Sequence, residues 1–413
     1  MKKPVPKSRK KPALASAHQV AVIGGGPAGL MAAEVMAEAG LAVTVFDRMP
    51  SLGRKLLMAG RGGLNLTHSE PIEKFRARYA AAEPWVRPLL DAFSPQDLIA
   101  WCEGLGQETF VGSSGRVFPK AMKASPLLRA WLARLGGLGV QFKTRADWTG
   151  WDLAGGLTFA DGSQIDAPAV VLALGGASWP RLGSDGGWTA LLPDIEITPL
   201  RASNCGFAVQ WSDIFRDKHA GAPLKRIAMT VGNQRVRGEA VVTSAGIEGG
   251  AVYALSAPAR EMIARQGVAV LYVDLLPDVT GEALAEKLGA GRGGDTLSNV
   301  LRKRANLPPV AIGLVQEALH AGETKSLAEL IKGVPIRLTA PFDIARAIST
   351  AGGIALTEID ECLMLKKRPG VFVCGEMLDW EAPTGGYLLQ GCMASGQAAG
   401  RGVIEWLSAK KTA

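Results

Sequence analysis

The chain has 413 residues, 47% of them hydrophobic, enough for two or three domains with real cores. Its net charge of +8 falls to +8 − 6 = +2 when the six Lys and Arg of the first eleven residues, MKKPVPKSRKK, are set aside, which argues against nucleic acid as a partner. The five cysteines (Cys102, Cys205, Cys362, Cys374 and Cys392) form no CxxC or zinc-ligand spacing, so they read as reduced thiols of a cytoplasmic protein with no metal site.

Residues 1–17 are Pro- and Lys-rich and read as a disordered basic tail. A signal peptide is the rival reading, but the apolar run that follows, VAVIGGGPAG, is broken by glycines and a proline. No apolar run in the sequence reaches membrane-spanning length.

From residue 18 to 48 the pattern is a short apolar strand, a helix-forming run from Ala28 to Ala39, and a second strand, LAVTVF, ending at Asp47. Between strand and helix stands Gly24-x-Gly26-x-x-Gly29, the βαβ dinucleotide fingerprint. Gly24 suits a tight turn, Gly26 a close approach to a pyrophosphate, and Gly29 close helix–strand packing. The helix N-terminus presents free N–H groups to phosphate. Asp47 is placed to accept hydrogen bonds from ribose hydroxyls. Such a motif alone does not separate FAD from NAD.

Residues 53–68, GRKLLMAGRGGLNLTH, are too glycine-rich for a good helix and too polar for a core strand. They read as a loop running back along a cofactor, with Arg54 and Lys55 toward the pyrophosphate. Asn65, Thr67 and His68 are then candidates to meet the cofactor ring or the substrate. A packing or surface role for His68 is an equal alternative.

Residues 135–184 read as a strand, a small hairpin sheet turning at ADGS, and a buried strand, VVLAL, that ends at Gly175-Gly176. Between about 195 and 345 the βαβ rhythm is lost. RIAMTVGNQRVRGEAVVTSAGIEGGAVYALS alternates like antiparallel strands, and LSNVLRKRANLPPVAIGLVQEAL reads as helices. GAGRGG (289–294) follows a helical run and reads as a helix stop. Near the C-terminus VFVC is a strand followed by Gly375-Glu376, Asp379, the turn Gly385-Gly386, and a helix of small residues. That order resembles the way many flavoproteins close an FAD site, where the acid can meet the ribityl chain or cap a phosphate turn and the helix points its N-terminus toward the flavin N1–C2=O edge. The alternative is a strand and helix that merely complete the sheet.

Taken together, VAVIGGGPAGL, GRKLLMAGRGGLNLTH, GRVFP (115–119), VVLALGG, TAGGI (350–354) and GEMLDWEAPTGGYLLQ resemble the bacterial aminoacetone-oxidase-like, or BaiN/YhiN-like, family of FAD-binding flavoproteins over about residues 20–405. The resemblance implies an α/β fold: a Rossmann-like FAD-binding domain of the glutathione-reductase-like class (18–194 and 346–413) carrying an inserted β-barrel-like plus helical substrate or lid domain (195–345). It carries FAD contacts to Gly24, Gly26, Gly29, Asp47, Arg54, Lys55, Asp379 and Gly386. Pro27, Ala28, Arg48, Asn65, Ala146, Gly175, Gly176, Gly375, Glu376 and Gly385 complete the expected cofactor set. One departure is that Gly62-Gly63-Leu64-Asn65 stands where the family has Gly-Arg-Cys-Asn, which suggests a distinct subgroup.

The function expected is a cytoplasmic FAD-dependent oxidoreductase transferring hydride through flavin N5 to or from a small or medium organic substrate. The FAD is non-covalent. No second GxGxxG unit is present, so NAD(P)H is expected to dock transiently as donor. No CxxxxC pair follows the FAD loop, which argues against a disulfide reductase. An amine or ketone oxidase, an RNA-associated flavoprotein and a redox sensor are the rivals. Arg116 and Tyr387 join Asn65 and His68 as candidate catalytic residues, each equally open to a structural role. The sequence leaves substrate and oligomeric state open.

Overall fold

The computed structural model of the chain describes residues 19–289 and 294–412. The basic tail and most of GAGRGG lie outside the described residues.

Short Val-, Ala- and Ile-rich runs buried on both faces can only pair side by side in a covered parallel sheet. Four such strands do so, in the order Val371–Val373, Val170–Leu172, Gln19–Ile23, Ala42–Asp47, and the mostly exposed strand Gln141–Thr144 adds a fifth at the edge. Every adjacent pair is parallel. The helix Pro27–Glu38 follows the first strand, and the long helix Tyr387–Thr412 packs along it. A three-stranded antiparallel sheet (Trp148–Trp151, Leu157–Phe159, Gln164–Ile165) packs against the parallel sheet, with Phe159 4.9 Å from the Phe46 ring. These elements share one hydrophobic core.

Residues 202 to 347 build a second core. Its seven-stranded sheet begins at Val334–Leu338 and ends at Ala340–Pro341. Only Thr339 separates those two edge strands in sequence, so the sheet must curl until its edges approach each other. The helices Leu297–Ala305 and Pro309–His320 and their neighbours cover it, burying Leu301, Leu314 and Val315. Near the end of the stretch read from sequence as antiparallel strands, GAVYA is instead the short helix Gly250–Ala254. Two antiparallel strands, Ile197–Ser203 and Ser349–Ile354, lead into and out of this unit.

The stretch 53–68 also differs from its sequence reading. Arg54–Ala59 is a helix, and Gly60–Gly62 a 3-10 turn. RKLLMA is made of good helix formers, and the glycines stand outside it: Gly53 takes the left-handed conformation at the N-cap, with φ 63°. Averaging composition over sixteen positions hid a helix of six. The chain then forms Thr67–His68, the first strand of a small sheet with Thr109–Val111 and Arg116–Pro119.

Candidate functional site

A cavity of about 340 Å³ opens at the carboxyl ends of the parallel strands, where α/β sheets bind ligands. At one end stand Asp47, Arg48, Ala146, Trp148 and Trp188; the glycine turn Gly24–Gly26 with Pro27 and Ala28 forms the middle; Gly375, Glu376 and Cys392 close the other end.

The three fingerprint glycines do different work. A methyl group on Gly24, at φ 109°, would sit 2.2 Å from the Ala173 carbonyl oxygen, and one on Gly29 would sit 2.0 Å from the Gly24 carbonyl oxygen. Both glycines therefore serve packing, and Gly29 does not line the cavity. A methyl group on Gly26 would point into open space. Only that position leaves room for a ligand to reach the backbone at the N-terminus of the helix.

Asp47 holds this turn. Its Oδ2 accepts from the Gly25 N–H and its Oδ1 from the Met49 N–H, both at 2.8 Å. Burial pushes its carboxyl above the usual aspartate range, outweighing those backbone N–H groups and the Arg48 and Arg54 charges that pull the other way. The Ala146 N–H donates to the Asp47 carbonyl, which places Ala146 beside it at the cavity wall. Arg48 lines the same end and pairs with Asp185 at 2.6 Å.

Lys55 lines the cavity, but its ammonium is committed to Glu376 and Ser178, each at 2.6 Å. It bridges the N-terminal and C-terminal blocks and is not a free cation for phosphate. Glu376 also accepts the Thr350 N–H. Arg54 lines the cavity with its guanidinium touching Ser51.

Several expected cofactor residues stand elsewhere. The Asp379 carboxylate accepts from the Thr198 hydroxyl at 2.6 Å, and its N–H donates to the Ile354 carbonyl. That ties it to the strands leading to the second core, away from the cavity wall. Gly175 lines the cavity, but Gly176 is packed on Thr350, where a methyl group would meet the hydroxyl at 2.2 Å. Gly385 and Gly386, at φ 135° and 99°, form the turn into the C-terminal helix, with Gly386 seated on the Thr67 backbone.

Three of the four candidate catalytic residues, His68, Arg116 and Tyr387, come together, but none of the four lines the cavity. Tyr387 donates its hydroxyl proton to Glu70 at 2.6 Å, and Arg78 grips Glu70 with two N–H groups. Burial and the Glu70 carboxylate both push the Tyr387 phenol upward, so it stays protonated. His68 stacks on Tyr387 with centroids 5.7 Å apart. Its Nδ1 accepts the Glu70 N–H, so the ring proton sits on Nε2 and donates to the Ser114 carbonyl at 3.0 Å. Arg116 is exposed on the small sheet opposite His68. The Asn65 Oδ1 is buried and takes no hydrogen bond.

Sequence reasoning missed Asn204. This residue, 1% exposed and at φ 51°, donates through Nδ2 to Ser349 Oγ and the Ala382 carbonyl, while its Oδ1 accepts the Thr384 N–H. It clamps the turn that starts the C-terminal helix. Arg260 reinforces the same junction through Glu381 at 2.6 Å, and Ser203 donates to that carboxylate too. Trp188, whose indole donates to the Gly175 carbonyl, and Asp185 were missed as well. No motif marks these positions, because each acts across a domain junction or from a loop.

An FAD fits this donor set. The open space at Gly26 admits a pyrophosphate, and the Nε atoms of Arg48 and Arg54, like Asn65 Oδ1, are buried without partners. Gly24–Pro27 and Arg54 would hold the pyrophosphate, Asp47 and Ala146 the adenosine end, and Glu376 the ribityl end.

A parallel sheet with a glycine turn, a terminal acid and a C-terminal strand–helix closing one long cleft defines a Rossmann-like FAD-binding oxidoreductase. Over residues 18–402 the chain matches the HI0933-like protein Rossmann domain, and it belongs to that family. Among curated proteins it is 25% identical to a 3-dehydro-bile acid delta(4,6)-reductase of Clostridium scindens, over 94% of this chain and 99% of that one. It is also 25% identical to a ribosomal RNA dihydrouridine synthase of Haemophilus influenzae, over 91% and 96%. Among solved structures, a flavocytochrome c3 fumarate reductase superposes with a TM-score of 0.52 at 16% identity, covering 95% of this chain and 79% of that one. A 3-ketosteroid delta1-dehydrogenase from Sterolibacterium denitrificans does so at 0.52 and 13%, covering 94% and 99%. These likenesses agree on the fold.

Proposed function

We propose that the chain is an NAD(P)H-linked, FAD-dependent reductase of a carbon–carbon double bond conjugated to a carbonyl group. The observation that carries the reading is the cleft from Asp47 to Glu376, held by residues of both sequence halves and matched to FAD. The two relatives narrow the chemistry. A 4,6-unsaturated 3-oxo steroid acid and a uracil ring share one reactive unit, an alkene made electrophilic by a carbonyl. With the second nucleotide motif absent from the sequence, the donor is read as a transient visitor.

FAD, when bound, supplies hydride chemistry at its N5. The chain's own residues position and shield. Asn204 and Arg260 fix the turn at 382–386, and the N-terminus of the helix Tyr387–Thr412 would offer its free N–H groups to negative charge on a bound flavin. Tyr387 and His68 have their protons committed to Glu70 and Ser114, and so act as a fixed wall beside that turn. In the net reaction the double bond takes one hydride at the carbon remote from the carbonyl and one proton at the nearer carbon, while NAD(P)H becomes NAD(P)+.

Mass spectrometry of a small conjugated enone after anaerobic turnover with NADPH tests this: the product should gain two hydrogens. An unchanged enone, with hydrogen peroxide formed on admitting air and an amine, would favour the oxidase reading instead.

A further inference from the structure

The adenosine end of the cleft is closed by residues that the βαβ unit does not supply. From Pro180 to Leu191 the chain runs through two 3-10 turns, Pro180–Leu182 and Gly187–Leu191. Leu182, Ser184, Asp185, Trp188 and Leu191 of this segment line the cavity together with Asp47, Arg48 and Ala146. Asp185 also lines a second cleft, of about 580 Å³, shared with Gly186, Thr189 and Leu192. Open space therefore lies on both sides of Asp185, and the segment is a thin wall between two clefts.

Its fastenings are of two kinds. Ser184 Oγ donates to the Gly176 carbonyl at 2.9 Å and the Trp188 indole to the Gly175 carbonyl at 2.8 Å. Both acceptors stand just behind the segment in the chain, so these bonds anchor it to the end of its own strand. The other kind crosses the cleft: Arg48 Nη1 reaches Asp185 Oδ2 at 2.6 Å from 137 positions away. The carboxylate is oriented for that contact, because its Oδ1 accepts the Gly187 N–H at 3.0 Å. Gly183 and Gly186 flank Ser184-Asp185 at φ 110° and 73°, left-handed values that glycine takes without strain. Such positions can act as hinges that absorb the swing of a short segment. The Arg48 and Asp185 side chains are 29% and 41% exposed, so their pair sits at the rim, where salt reaches it. At the same end of the cavity the Trp148 indole nitrogen is buried and has no hydrogen-bond partner, which leaves a donor for a heterocycle with ring acceptors.

We propose that residues 180–191 form a strap over the adenosine half of the cofactor, and that Asp185 is the positioning residue that latches it through Arg48, so that the cleft retains FAD in preference to FMN. The inference rests on the cleft holding FAD with its adenosine toward Asp47, and it is independent of which substrate is reduced. FMN ends at its phosphate, so it would reach the glycine turn and gain nothing from the strap. An exposed ion pair adds little to folding stability. Here the pair joins two walls of one site, so its contribution is read in the lifetime of the bound cofactor.

The test is release of flavin from the full loaded chain, timed by the rise in flavin fluorescence on dilution, with FAD and then with FMN exchanged in its place. In low salt Asp185→Asn should release FAD about threefold faster than the parent, the effect of losing an exposed ion pair. In about 1 M salt, where charges are screened within about 3 Å, the parent should speed up to the variant's rate while the variant barely changes. Asp185→Glu should keep the parent's rate and its salt dependence. FMN should leave the parent and Asp185→Asn equally fast at either salt. The FAD-free forms of the two proteins should melt at the same temperature, which a merely structural Asp185 would not allow. The salt dependence of the parent needs no variant, so the test stands even where Asp185→Asn folds poorly. FAD release indifferent to salt and to Asp185→Asn would overturn the inference, and so would FMN release that quickens by the same factor as FAD release. A chain without flavin bands would strike the cofactor reading and the strap with it, whereas FAD bound but released at one rate throughout strikes the strap alone.

Discussion

Gly396 in the C-terminal helix lies against Ala28 in the first helix so closely that a methyl group on it would sit 2.2 Å from the Ala28 carbonyl oxygen. Gly375, at the end of the last parallel strand, faces the Ala28 methyl group from another side. The two ends of the sequence are thus fitted around one alanine at the mouth of the cofactor cleft. Gly396→Val should cost about 3 kcal/mol of stability through overpacking and lower flavin content with it. Denaturant titration followed by flavin fluorescence would measure both. An unchanged midpoint would mean that the helices tolerate separation.

Gly26 and Gly29 should respond in opposite ways to the same change. Gly26→Val puts its side chain into the space reserved for ligand, so the protein should fold with a near-normal melting temperature and be purified without flavin. Gly29→Val drives a side chain into the Gly24 carbonyl and should lose stability first. Thermal melts of both apoproteins distinguish a ligand-facing glycine from a packing one.

How much of this could be read in the sequence follows from range. Gly24, Gly26, Asp47 and the Gly375-Glu376 turn belong to local patterns whose chemistry is set by neighbours in the chain, and they line one cavity. Lys55 was legible as a cleft residue, but its pairing with Glu376 spans 321 positions and has no local signature. The hydrogen bond that Asp379 accepts from Thr198, 181 positions away, is illegible for the same reason. The helix Arg54–Ala59 was lost to averaging over glycines that flank it.

Asn204 makes three hydrogen bonds from a buried side chain at the domain junction. Asn204→Ala should cost about 2–3 kcal/mol, because the Thr384 N–H and Ser349 hydroxyl lose partners they cannot replace with water. The added effect expected of a positioning residue is a fall in kcat larger than any change in KM for the enone. Steady-state kinetics at several enone concentrations separates the two.

Glu70 links stability to pH. Burial would raise its carboxyl, but hydrogen bonds from Arg78 and Tyr387 outweigh that and hold it below its ordinary 4.5. Its ionised form therefore contributes stability in full above about pH 4.5, and that contribution is lost as pH falls through the lower folded-state value. Glu70→Gln should be less stable than the parent at neutral pH, with the gap closing in acid. Chemical denaturation midpoints across the acid range would show it. A constant gap would mean that Glu70 does not titrate with folding.

The account stands or falls on hydride passing through the cleft to a conjugated double bond. The direct measurement is the visible spectrum of the FAD-loaded protein, taken anaerobically, first mixed with NADPH and then with a conjugated enone. The account predicts flavin bands that bleach on the first addition and return on the second, with a saturated ketone giving no return. Bands that bleach but return only on admitting oxygen, or that never bleach with either nicotinamide, would contradict it.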